Sequence, residues 1–212
     1  MRVHPSVPAA AAILALTLGG CGSDDEEPTA STPGGTTATQ GAGAPTTTDG
    51  TADSGGTAAD GGTEITGTGY RTVVPTGWKD ASAQTAGTAI RIDRTYAGPP
   101  KDGFAANVVI IRENPPSLKG VKIEDVEKQL REQGAGVLGA PVPDAEEPLS
   151  LDGEDAVRWT LRRSQGGRQL VQRQLASIHD DQLFTVTLSS TAEDDGDGEA
   201  NLRSLVDGWK WE

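Results

Sequence analysis

The chain has one cysteine, Cys21, and two histidines, His4 and His179, among 212 residues. That supply cannot build a disulfide framework, nor fill the ligand set of a usual zinc site, so no metal is expected. There is no Gly-x-Ser-x-Gly elbow and no cysteine placed as a nucleophile, so the common acyl-transfer machinery is missing. Gly166-Gly167 reads as a hairpin turn and not a phosphate loop, because no helix follows it; no cofactor is expected. Positive charge is scarce: 18 Lys and Arg stand against 31 Asp and Glu, a net −13, a poor match to nucleic acid. Aromatic residues are also few, and all of them lie after residue 69.

The opening residues run from Met1-Arg2 through an apolar stretch, Val7 to Leu18, broken only by Pro8 and Thr17. That stretch is too short to span a bilayer, which takes roughly 20 apolar residues, and suits a signal-peptide core. It ends in Leu18-Gly19-Gly20-Cys21, which resembles the lipobox of bacterial lipoproteins: an aliphatic residue, two small residues, then the cysteine that receives the lipid. The resemblance implies cleavage before Cys21, a lipid anchor on its thiol, and a place on the extracytoplasmic face of the cell membrane.

Residues 22–64 contain no Lys, Arg, aromatic, Leu or Val and carry eight acidic groups. Such a composition cannot bury enough apolar surface to offset chain entropy, so a disordered Gly/Thr/Ser/Pro linker is expected. The organisation is therefore a leader at 1–20, the lipidated cysteine with its linker at 21–67, and one folded domain at 68–212. Residues 65–212 keep a net −6, so the membrane contact is expected from the acyl chains and not from basic side chains.

Within the domain, strands are predicted at 70–74, 88–96 and 104–111, the second with Ile90, Ile92 and Tyr96 on one face. A helix follows at 121–133 on a stripe of Ile123, Val126 and Leu130, ended by Gly134. After a loop with three prolines, strands alternate with turns at Asp152-Gly153, Gly166-Gly167 and His179-Asp180-Asp181. Val157, Trp159 and Leu161 are assigned inward, as are Phe184, Val186 and Leu188. A closing helix at 199–209 carries Leu202, Leu205, Val206 and Trp209 on one face, with Asp194, Asp195 and Asp197 before it. Trp78, Trp159 and Trp209 are the expected core tryptophans. The fold class is α+β: an antiparallel sheet of six to seven strands covered by helices.

Few residues carry visible chemistry. His179 beside two aspartates reads as a solvated turn residue. The run Glu193-Asp194-Asp195-Gly196-Asp197-Gly198 fails as a calcium loop, since Ser204 stands where a bidentate Glu is needed. Arg158, Arg162, Arg168 and Arg173 fall on neighbouring strands with no carboxylate between them in sequence. With Arg158 and Arg162 outward, opposite Trp159, they are the candidate ligand-binding residues, for a phosphate, a carboxylate or an acidic partner.

Several short motifs occur in a familiar order: Pro75-Thr76-Gly77-Trp78, Ala106-Asn107-Val108-Val109, Leu151-Asp152-Gly153 with Ala156 and Trp159, and Phe184-Thr185-Val186-Thr187 leading to a last helix that ends in tryptophan. Over residues 68–212 the chain resembles the LpqN-like actinobacterial lipoproteins and, more distantly, PsbP-like proteins. The resemblance implies a central antiparallel sheet with helices packed on it, and transfers no catalytic residue. The expected function is a non-enzymatic binding or interaction module of the cell envelope, acting as a monomer on a lipid, a wall polymer or an envelope protein. An accessory subunit of a membrane complex is the alternative, and a hydrolase of envelope lipid or ester follows behind it. Replacement of Cys21 by Ala is expected to release the protein from membranes or leave it as uncleaved precursor. Fractionation and mass measurement check this, and a variant processed and retained like the parent contradicts the anchor.

Overall fold

The computed structural model describes residues 62–86 and 90–212, all within one compact unit. The leader, Cys21 and most of the expected linker lie outside the described residues. The strands are β1 (Gly62–Gly67), β2 (Tyr70–Pro75), β3 (Lys79–Asp80), β4 (Ile92–Ala97), β5 (Asn107–Glu113), β6 (Leu149–Leu151), β7 (Glu154–Gln165), β8 (Arg168–His179), β9 (Gln182–Thr191) and β10 (Lys210–Trp211). The helices are α1 (Ser82–Thr85), α2 (Ile123–Leu138) and α3 (Asp195–Asp207). Seven strands form one antiparallel sheet in the order β3-β4-β5-β9-β8-β7-β6, and β1-β2-β10 form a second, smaller one. This is the α+β class expected from the sequence. β1 lies inside the stretch assigned to the linker, so the folded part reaches back at least to Gly62 and not to residue 68.

The predicted turns are where the chain reverses. Asp152-Gly153, Gly166-Gly167 and Asp180-Asp181 all adopt positive φ, the geometry of two-residue hairpins. They link β6 to β9 into a continuous meander whose long strands β7 and β8 pair over ten residues.

Both faces of the large sheet are covered, and register decides which residue meets which cover. Val157, Trp159, Leu161, Ala176 and Leu183 face α2, where Val126 and Leu130 complete the cluster. Phe184, Val186, Leu188, Val108, Ile110 and Leu175 face the other way, toward α3, Tyr70 and Trp209. The two sets assigned inward thus point to opposite sides. On the α3 side Tyr70 stacks on Trp209 (centroids 4.3 Å, 7°) and meets Phe184 edge-on (5.9 Å, 83°). The Thr72 hydroxyl donates to the Leu205 carbonyl at 2.6 Å, tying the small sheet to α3.

Four expectations need correction. Ile92 and Tyr96 do not share a face, because a bulge between Ile92 and Arg94 shifts the register by one residue. Gly134 does not end α2; it is buried inside the helix, which runs to a left-handed Gly139. Ala135 packs into the Trp159 cluster there, and that burial outweighs the ~1 kcal/mol helix penalty of glycine. α3 begins at Asp195 and ends at Asp207, so Trp209 follows the helix instead of ending it. Trp78 is only partly buried, packed against the rim of the core, whereas Trp159 and Trp209 are each 1 % exposed.

Trp159→Ala is expected to cost about 3–5 kcal/mol, seen as a lower denaturation midpoint. Trp211→Ala, at a partly buried edge, is expected to cost less; equal midpoints for Trp159→Ala and the parent would contradict the face assignment.

Candidate functional site

On the α2 face the helices are set apart. α2 packs on β7 and β8, and α1 packs on β4. Between them lie β5 and β9, a strip two strands wide, roughly 10 Å. Register defines its floor in rows. One row runs Trp159, Gln174, Thr187, Val109, Thr95; the next runs Leu161, Gln172, Ser189, Asn107, Ala97. The polar members are all buried, Gln172, Gln174, Ser189 and Thr95 at 0 % exposure.

Their hydrogen bonds are only partly satisfied within the chain. Gln172 Nε2 donates to Ser189 Oγ at 3.2 Å, and Asn107 Nδ2 donates to the Ala105 carbonyl at 3.0 Å. The two amide oxygens, both polar atoms of the Gln174 amide, and the Thr187 hydroxyl have no hydrogen-bond partner among the described residues. A buried polar group without a partner costs about 1–3 kcal/mol, and interiors pair nearly all of them. Five such atoms on adjacent strands of one face make a polar layer closed to solvent, richer in acceptors than donors. Val109 and Ile111 supply apolar contact beside them. At the end of this face Glu113 is half-buried, and burial pushes its carboxyl above the usual range.

Sequence reading passed over this strip. Thr185, Thr187 and Ser189 alternate with Phe184, Val186 and Leu188, the pattern of a sheet with one wet face. Gln172-x-Gln174 was the available signal, since a period-two pair of amides flanked by apolar residues has no turn or cap to serve.

The arginines singled out from the sequence lie on the opposite side. Arg158, Arg162 and Arg173 are brought together beneath the first turns of α3. Arg173, 8 % exposed, contacts Asp195 at 2.5 Å and Glu199 at 2.8 Å. Arg162 pairs with Asp195 at 3.1 Å, and Arg158 with Glu146 at 3.3 Å and Glu199 at 3.4 Å. Arg168 stands apart and donates to the Asp102 carbonyl. The expected stripe free of carboxylates is therefore not formed. Parity placed Arg158 and Arg162 opposite Trp159 correctly, but on that face Asp195 and Glu199 of α3, with Glu146 of the loop before β6, neutralise them. Gly198 permits the close approach, since a Cβ there would meet Ser190 Oγ at 2.8 Å and Arg173 Nη1 at 3.0 Å.

His179 is half-buried, stacked on Trp211 at 4.3 Å, with Nδ1 3.2 Å from Glu154 Oε1. Among the described residues no group of three or more His, Cys, Asp or Glu is placed to hold a metal ion.

No family model matches the chain, and no curated protein matches it. Solved structures do. The chain is similar to the PsbP protein CyanoP of Synechocystis sp. PCC 6803 (17 % identity, 68 % of this chain and 87 % of that one, TM-score 0.49). It is also similar to LpqN of Mycobacterium tuberculosis, described as involved in cell envelope biogenesis (12 % identity, 72 % and 86 %, TM-score 0.45). A third is a Pseudomonas aeruginosa protein of unknown function, PA94, described as a putative regulator (19 % identity, 63 % and 85 %, TM-score 0.42).

The α3 pairing carries a pH dependence. Burial works to raise the Asp195 carboxyl, but hydrogen bonds from Arg173 and then Arg162 outweigh it and hold it below the usual carboxylate range. A carboxylate depressed in the folded state adds stability above its unfolded pKa, ~3.9 for Asp, and loses it as pH falls through the folded value. Asp195→Asn is expected to lower stability by about 1.5–3 kcal/mol at neutral pH, the range for a hydrogen bond to a charged group. The variant's melting temperature should also fall less steeply below pH ~4 than the parent's. A parallel acid profile in parent and variant would contradict the clamp.

Proposed function

We propose that this chain is a lipid-anchored binding module on the extracytoplasmic side of the cell membrane, held by Cys21, whose ligand reaches the buried polar layer of β5, β9 and β8 by displacing what covers it. The observation that carries this reading is the two rows holding buried Asn107, Gln172, Gln174 and Thr187, with amide and hydroxyl atoms unpaired among the described residues. Amide oxygens set beside Val109 and Ile111 suit a neutral ligand that offers hydroxyl or N–H donors along an apolar backbone, as a wall polymer does. Charge has little part in this recognition, because no basic side chain stands in the two central rows.

Gln174→Met tests the assignment through a split between stability and binding. Met nearly matches Gln in volume and removes an unpaired buried amide, so the melting temperature should hold or rise. Co-sedimentation with purified bacterial cell wall should weaken by about tenfold, the equivalent of ~1.4 kcal/mol. Undiminished sedimentation of Gln174→Met would remove the strip as the wall-binding surface. Loss of binding together with loss of folding, reversed in Gln172→Met, would make it a packing device.

A further inference from the structure

A second feature stands apart from that strip, at the end of the large sheet nearest the β1–β2 hairpin. Ile92 pairs with Ile111, and the Arg112 N–H donates to the Arg91 carbonyl at 3.4 Å, so Arg91 and Arg112 face each other one step beyond. Residues directly opposite in an antiparallel pair project to the same side with Cβ atoms roughly 5 Å apart, and like charges there repel.

Five other guanidinium groups of this acidic domain are neutralised by carboxylates, whereas Arg94, Arg163, Arg168 and Arg203, like Arg91 and Arg112, have no carboxylate partner among the described residues. Arg71 pairs with Glu64, Arg131 with Glu127, and Arg158, Arg162 and Arg173 with Glu146, Asp195 and Glu199. The acid closest in the chain, Asp93, also walls the notch and keeps its charge, but its oxygens are turned to neutral donors. Its carboxylate accepts from the Thr68 N–H at 3.1 Å, the Thr68 hydroxyl at 2.6 Å and the Tyr70 hydroxyl at 3.0 Å. The register shift between Ile92 and Arg94 falls at this residue. Arg94 is turned away too, donating to the Thr66 and Asp93 carbonyls. Arg91, Ile92, Asp93 and Arg112 wall a notch of about 170 Å³.

We infer that this notch is a phosphate-binding site, in which the guanidinium groups of Arg91 and Arg112 close on one phosphate group from two sides. The planar, five-donor guanidinium fork matches phosphate oxygens in pairs, and a dianion between two like charges converts their repulsion into attraction. Arg91 is exposed and Arg112 half-buried, so the group stays within reach of a ligand while one guanidinium keeps less of its hydration. A free phosphate and the headgroup of an anionic phospholipid present the same chemistry, and the test separates them.

The purified chain, labelled so that arginine Nε–H signals are visible, is titrated with inorganic phosphate at constant ionic strength. Saturating shifts are expected at Arg91 and Arg112 and at the backbone amides beside them. Arg91→Gln/Arg112→Gln should lose about tenfold or more in affinity, while Arg71→Gln, equal in charge change per site and paired with Glu64, should not. In parallel, flotation with vesicles of phosphatidylcholine, with and without phosphatidylglycerol, reads the headgroup. Phosphate shifts without any vesicle gain assign a free phosphate ligand; shifts with retention on the anionic vesicles that the double variant loses assign a headgroup. Arg91→Lys/Arg112→Lys keeps the charge and loses the forks, and should fall between the two. Non-saturating shifts spread over all arginines, or identical binding by the double Gln variant and Arg71→Gln in both arms, overturn the site.

Discussion

A guanidinium held under a helix has to be paired, and in this domain that requirement falls on Arg173. It sits on β8 with Thr160 of β7 and Leu188 of β9 on either side, almost out of solvent. Asp195 and Glu199, one turn apart on α3, reach it together. Leaving that charge uncompensated would be strongly destabilising, so the pairing fixes where α3 comes down on the sheet. The rest of that side follows. Leu202 and Leu205 close on Val186 and Leu188, the Leu205 carbonyl accepts from Thr72, and Trp209 is delivered onto the ring of Tyr70.

This arrangement divides the chemistry of the two faces. Charge is used up inside the fold on the α3 side, where arginine and carboxylate neutralise each other. The α2 side is buried, polar and nearly neutral in its central rows, with amides and hydroxyls partly unpaired among the described residues. A ligand drawn to it would be recognised by hydrogen bonds and shape, insensitive to salt. The notch at Arg91 and Arg112 is the opposite kind of surface: small, cationic and open, on a domain whose net charge is negative.

Much of the architecture was readable residue by residue. Asp152-Gly153 and Gly166-Gly167 declared hairpins because only a positive φ closes a two-residue turn cleanly, and both adopt it. Ile123, Val126 and Leu130 declared the buried stripe of α2 at helical spacing. Other residues were misread for physical reasons. The shift at Asp93 has no compositional mark, yet it moves Tyr96 to the face opposite Ile92. The alternation in β9 announces two unlike faces but says nothing of whether the polar one meets water. Arg158 and Arg162 carry no sign that carboxylates more than thirty residues later will cover them.

By itself, then, the sequence determined what depends on neighbours along the chain: turn positions, strand and helix periods, and the aromatic residues available for a core. Whether the leader and Cys21 anchor the protein is likewise written in local residues, outside the described region. Only the tertiary structure decided which surfaces remain to act. Strand parity sorts side chains into two sets, but the cover laid over each set comes from segments distant in sequence. That is why a basic stripe became an internal clamp, a polar alternation became a buried floor, and two arginines 21 residues apart came to face each other with no ion-pair partner among the described residues.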